Sequence, residues 1–310
     1  MADTNRVTTT LLRPAQPQVR VSWHGIRRAP ILPIFFLLVV IFAGVFADWI
    51  APDNPRRGDL RVRMSPPAWQ SGGSTDHMLG TDHLGRDILS RVIHGARISL
   101  IVAGVTLGLG GTIGVALGLV AGWYGKWIDE IIMRVVDIAL AIPLVLVALV
   151  MVVSVGRAFP DALGGQTGLI VLVLASFFWV RFARIIRGEV LQIKTMDYVA
   201  LARVSGASTP RILLVHILPG VTNTLIVLAT LQVGFVILVE STLSFLGAGV
   251  PPPTPAWGSM VAEGRDFLAG AWWVSTMPGF SILLTVTSLN LFGDWLRDTL
   301  DPRLRQLATD

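Results

Sequence analysis

The sequence predicts an all-α polytopic membrane protein with six transmembrane helices, and three observations carry that prediction. Hydrophobic residues make up 53% of the 310 and charged residues only 15%, a balance that suits a membrane chain better than a soluble domain. Six apolar runs of roughly membrane-spanning length recur along the chain. The formal charge is +5, 23 of the 25 basic residues are arginine, and they fringe the apolar runs instead of clustering. That distribution points to the membrane surface and its lipid, not to nucleic acid. With no cysteine, a disulfide frame and a thiolate metal site are both excluded.

Residues 1–30 are polar, with Arg6, Arg13, Arg20, Arg27 and Arg28 against Asp3, and no periodicity; a disordered cytoplasmic tail is expected. Span one is 31–51. Ala43 and Ala47 imitate a signal-peptide cleavage site, but the charged region before them is too long and more spans follow. Residues 31–96 are read as this span plus a polar, proline-containing connector, 52–96. Asp76, His77, Asp82, His83 and Asp87 raise the question of a metal site. The two histidines have neither helical nor zinc-motif spacing, so locally paired charges are expected.

Residues 97–296 form the predicted membrane core. In span two, 98–122, Gly110, Gly114, Gly118 and Gly122 recur every four residues, and Gly104 and Gly108 add a pair; this spacing clears a helix face for a neighbour. A phosphate-binding loop fails at Gly125-Lys126, which Trp127 follows and no correctly spaced glycine precedes. Span three, 135–155, contains Pro143 and should kink there. Spans four, five and six are 169–184, 221–243 and 277–296, and 297–310 is a cytoplasmic tail. Six spans with the N-terminus inside put 187–220 in the cytoplasm, and the loop region, with Arg181, Arg184, Arg187, Lys194, Arg203 and Arg211 against Glu189 and Asp197, suits the positive-inside rule. The connector runs against that rule: Arg56, Arg57, Arg61, Arg63, Arg86 and Arg91 would lie outside, partly offset by Asp53, Asp59, Asp76, Asp82 and Asp87.

The segment 187–220 lacks a membrane-length apolar core yet sits between two runs that have one. Tyr198, Leu201, Ala202 and Ser205 share one helical face within 194–205. Gly206 ends that helix, Ser208 offers an N-cap and Pro210 suits the first turn of a second short helix. Two short helices at an angle, rich in Ala and Gly, make a docking knob instead of a catalytic pocket.

This segment resembles the cytoplasmic coupling loop of ABC-importer permeases. The family's Glu-Ala-Ala, Gly and Ile-x-Leu-Pro pattern appears here as Ala200-Leu201-Ala202, Gly206 and His216-Ile217-Leu218-Pro219, with the acidic residue lost. LGTDHLGRD (79–87), ESTLSFLGAG (240–249) and GDWLRDTLDPR (293–303) resemble further signatures of the dipeptide, oligopeptide and nickel branch. The resemblance runs from about residue 31 to 305 and implies a type I ABC importer permease fold. It also implies a heterodimeric pore with a second homologous permease, two ABC ATPase subunits that use ATP and Mg, and an extracytoplasmic substrate-binding protein. This chain would bind no cofactor and would reside in the bacterial cytoplasmic membrane with both termini inside. Peptides are the implied cargo, with nickel the alternative.

On that resemblance, Tyr198, Ala202, Arg203, Gly206, Ala207 and Ser208 are the candidate contacts with the ATPase. Ionisable groups inside spans suggest function by default. Glu240 either lines the substrate path or caps the segment after Ser241, and Asn290 is a second path candidate, on one face with Asp294. Asp294, Arg297, Asp298 and Arg303 should form a terminal charge cluster. Asp137 either pairs with Arg181 and Arg184 or each snorkels separately. An ion-driven secondary transporter would need inverted repeats and paired intramembrane carboxylates. A membrane enzyme would need a nucleophile–base set or metal ligands, and no histidine lies in a span core.

Overall fold

The computed structural model describes residues 29–300. The expected N-terminal tail, apart from its last two residues, and Arg303 lie outside them. Nine helices organise the described residues: α1 (Ile31–Val45), α2 (Ile88–Tyr124), α3 (Lys126–Ala141), α4 (Leu144–Val155), α5 (Gly165–Ile193), α6 (Asp197–Val204), α7 (Thr209–Phe245), α8 (Trp257–Gly264) and α9 (Trp273–Leu300). Short single turns aside, the rest is irregular, with one isolated bridge, Thr81 to Asp87.

α2, α5, α7 and α9 are each long and apolar enough to cross a membrane. The apolar α1 is shorter, 15 residues, and a further turn, Ala47–Ile50, follows it. The third predicted span is the main departure. It is not one kinked helix over 135–155 but a pair, α3 and α4, bent by 79°. Proline lacks the amide hydrogen an interior helical position needs, and its ring drives the residue before it out of the helical region. Ile142 accordingly is extended (φ −91°, ψ 128°), and Pro143 becomes the residue that opens α4.

The four-residue glycine ladder does what its spacing predicts. A Cβ on Gly110, Gly114 or Gly118 would fall 3.0, 2.3 and 2.8 Å from the backbone oxygens of Ala175, Trp179 and Ala183, and one on Gly122 would strike Val190. The ladder therefore sets α2 directly against the backbone of α5. Gly104 and Gly108 face open space and take no part in this contact. Leu107, Phe178, Phe182, Ile237 and Leu243 fill the core between α2, α5 and α7.

The connector folds over the start of α2. Asp87 accepts from the amide of Ser90 at 2.7 Å, satisfying a free donor of the first turn. Asp82 is bonded to Arg86 and Arg91, and both guanidiniums also reach Glu263 at the end of α8. The indole N–H of Trp257 donates to the carbonyl of Val92, and that of Trp273 to the carbonyl of Thr81. Two of the arginines that offend the positive-inside rule are thus neutralised inside the protein.

Candidate docking surface and path-lining residues

α6 lies at the far end of α2 from the connector, about 55 Å away at 1.5 Å per residue. Asp197 in its first turn suits the positive end of the helix dipole. The helix is shorter than the predicted 194–205, because Lys194 still belongs to the end of α5. It stops at Gly206, whose φ of +77° is the left-handed conformation the sequence suggested. The amide of Gly206 donates to the carbonyl of Arg203 and that of Ala207 to the carbonyl of Ala202, each at 3.0 Å. These are the paired bonds of a Schellman motif, and Ala202 and Ala207 at its two ends pack against one buried cluster.

The second short helix is not separate. Ser208 occupies its N-cap position, but the hydroxyl makes no capping bond, and Pro210 sits in the first turn as expected. From there the helix runs on through a wide π turn, Ile212–Ile217, into span five and ends at Phe245. A π turn just before Pro219 gives the proline ring room and absorbs its missing donor.

Of the predicted coupling residues, Gly206 and Ser208 are exposed at the turn, and the other four contact the chain's own bundle. Ala202 and Ala207 are half-buried beside Val199, which lies in one cluster with Ile193, Ile212 and Ile217. The guanidinium of Arg203 lies 4.2 Å above the ring of Trp123 at the end of α2. A Cβ on Gly220 would come within 3.7 Å of the Tyr198 hydroxyl. These residues attach the knob to its own bundle. The outward face belongs to Leu201 and Val204, 66% and 88% exposed; the sequence reading put Leu201 on one face with Ala202 but named neither as a contact with the ATPase. Their signal was present: both lie opposite Val199 on the helical wheel. Behind α6, Lys194 donates to the carbonyl of Gly122 at 2.7 Å, and Arg187 grips Asp129 with two bonds.

In the spans, Asp137 pairs with Arg184, so the ion-pair reading holds for that arginine. Arg181 instead donates to Oε1 of Gln232 at 3.1 Å and lies over Phe235. Glu240 is only 1% exposed. Ser244 donates to its Oε1 at 2.7 Å, and its Oε2 has no partner. It does not cap the end of span five, because α7 continues past it to Phe245; this chain encloses it. Asn290 is exposed on α9, with its Oδ1 toward Gly234 of α7.

Of the suspected metal ligands of the connector, Asp76, His77, Asp82 and Asp87 are engaged in protein bonds, whereas His83 stacks on Phe267 and its Nδ1 has no partner among the described residues. His77 Nδ1 lies 3.2 Å from Asp87, and Ser74 donates to Asp76. Asp82, His83 and Glu263 bring three ligand atoms within 4.8 Å of one another. A divalent cation there would sit against the guanidiniums of Arg86 and Arg91, an unfavourable place for a second positive charge. Burial pushes the Asp82 carboxyl up, but Arg91, Arg86 and the amides of Arg86 and Leu84 outweigh it and hold it below the usual carboxylate range.

Residues 114–306 match the family described as binding-protein-dependent transport system inner membrane component. The chain is 42% identical over 275 residues to the di/tripeptide transport system permease protein DppC of Pseudomonas aeruginosa, covering 89% of this chain and 88% of that protein. It is 44% identical over 286 residues to the dipeptide transport system permease protein DppC of Escherichia coli K12, covering 92% and 93%. A putative peptide transport system permease protein of Brucella suis is 39% identical over 279 residues, covering 90% and 89%.

Proposed function

Because this chain belongs to the family of binding-protein-dependent transport inner membrane components, we propose that it forms half of the pore of an ATP-driven importer of short peptides. The membership supports a multi-pass inner-membrane transport subunit and speaks against the ion-driven and enzymatic alternatives. Peptide cargo follows the names of the relatives.

In this reading a second homologous permease completes the pore, and a binding protein delivers peptide at the connector end, outside the cell. Two ATPase subunits that carry the ATP and Mg dock at α6, in the cytoplasm with both termini. The observation that carries the proposal is the knob: a short, rigidly attached helix that turns Leu201 and Val204 outward. Fully burying two such side chains in a partner's groove contributes roughly 1.5–3 kcal/mol each. Closure of the ATPases on ATP would move that groove. Arg203 on Trp123, Lys194 on Gly122 and Arg187 on Asp129 would carry the displacement into α2, α3 and α5. The break at Pro143 gives α3 a place to turn relative to α4.

The test is reconstitution of both permeases, the ATPase subunits and the binding protein in vesicles. Dipeptide uptake should require ATP and every subunit, and the isolated chain should neither bind nor hydrolyse ATP. Stoichiometric nucleotide binding by this chain alone would refute the assignment.

A further inference from the structure

We propose that Arg181 is the anion-binding residue of the translocation path and meets the peptide's carboxylate as it crosses. The inference rests on the peptide-importer reading and names the group in the path that this cargo would meet.

Depth comes first. A Cβ on Gly114 would strike Trp179 and Phe182, and one on Gly118 would strike Ala183 and Ile186. Arg181 of α5 is therefore level with the stretch between those two glycines, inside the apolar run of α2. Its hydrogen-bond partner Gln232 is 13 residues from the Phe245 end of α7, about 20 Å along the helix. The hydrocarbon layer is about 30 Å thick, so counted from that end the guanidinium lies inside it, roughly 10 Å short of the cytoplasmic face and deeper than the loop-side position expected for Arg181 from the sequence.

Charge comes next. Arg184 and Arg187, one and two turns further along α5, are matched by Asp137 and Asp129. Arg181 is in no ion pair among the described residues, and it is exposed on the surface of the chain. A lone guanidinium against lipid tails is costly, and such residues face a bundle interior or a water-filled cavity. Gln232 supplies the second observation. It is 4% exposed; its Oε1 accepts from Arg181, while its Nε2 has no partner. The remaining guanidinium N–H groups and this amide N–H are all donors, which suits an oxyanion. A peptide with a free C-terminus carries one, whereas a divalent metal cation would be repelled.

The experiment uses the complete complex in membranes, exploits the absence of cysteine from this chain, and takes the partner subunits in cysteine-free form. Phe235→Cys places a thiol beside Arg181, and its reaction with an anionic sulfonate and a cationic ammonium methanethiosulfonate reagent is timed. The anionic reagent should be favoured, and excess dialanine should slow it. Adding Arg181→Gln should lower the anionic-to-cationic rate ratio about tenfold, the low end of what a focused charge does to encounter rates. Arg181→Lys should retain the ratio. Without the reporter cysteine, Arg181→Gln should reduce dialanine uptake while the ATPase subunits stay bound. The inference is overturned if neither reagent reacts, which would mean the face is sealed by lipid or by the second permease. A ratio indifferent to Arg181 also overturns it. Failure of the unaltered complex to take up dialanine would instead overturn the peptide-importer reading.

Discussion

At the connector end of α2, Asp82, Arg86, Arg91 and Glu263 turn inward and bond to one another; at its other end, α6 turns Leu201 and Val204 outward. Textures that look inverted for a soluble protein, charge inside and aliphatic groups outside, thus occur on one chain about 55 Å apart. The difference separates structure from docking. A set of buried charges matched to one another offers little to a partner, and replacing it with apolar groups is often neutral. An exposed apolar pair on a rigid helix is unfinished until something covers it.

Breaking the connector network should give the largest loss of stability. Arg91→Leu leaves the buried carboxylate of Asp82 short of a partner, at a cost of about 3–5 kcal/mol. Thermal unfolding of the purified chain should shift markedly downward, while any complex that survives should still hold its ATPases. An unchanged midpoint would show that the network is not what fixes the connector.

Gly206→Val should have a smaller effect, and at the other end. A Cβ there meets nothing within 4 Å, so the cost is the left-handed backbone alone, roughly 1–2 kcal/mol for a β-branched residue. Peptide-stimulated ATP hydrolysis should fall while basal hydrolysis and membrane insertion persist. Ala202→Glu tests something different from docking, because Ala202 packs into its own bundle. Its charge should loosen α6 itself, read as protease cleavage within 195–210.

The orientation behind the comparison is checked by cysteine labelling. A cysteine at Ser208 should react only from the cytoplasmic side and one at Ser74 only from outside, both positions being exposed. Reaction of both from one side would place the two textures on the same face of the membrane. The weakest expected effect is on pH. The Asp82 carboxyl is held below its unfolded value, so its stabilisation is present above about pH 4 and is lost as pH falls further, through the folded pKa. Protection of the Arg91 amide from hydrogen exchange should therefore be constant near neutrality and decline only in strong acid.

Much of this was legible in the sequence because it depends on local rules. Glycines every fourth residue need a close neighbour, and Gly206 needs its positive φ, whatever the rest of the chain does. The break at Pro143 was visible as a disturbance but not in size, because a kink and a break differ in whether packing holds Ile142 helical. The run of α7 back to Thr209 was hidden by Pro219, which reads as a stop until the π turn before it is seen. Leu201 and Val204 were missed for a different reason. Grouping residues into an apolar face does not say which face turns inward, and Val199 decided that through contacts remote in sequence.

Retention of the ATPase subunits by Val204→Glu, set against Arg91→Leu, tests the central contrast most directly. Val204, 88% exposed, is the most exposed large apolar residue of the knob, so a charge there should leave the chain's own unfolding midpoint unchanged. If that face enters a partner's groove, burying the unpaired carboxylate costs several kcal/mol and weakens association by two or more orders of magnitude. Purification from membranes should then yield the Val204→Glu permease stable but without its ATPases, and Arg91→Leu destabilised but with them. Full ATPase retention by Val204→Glu would contradict the assignment of α6 as the docking surface.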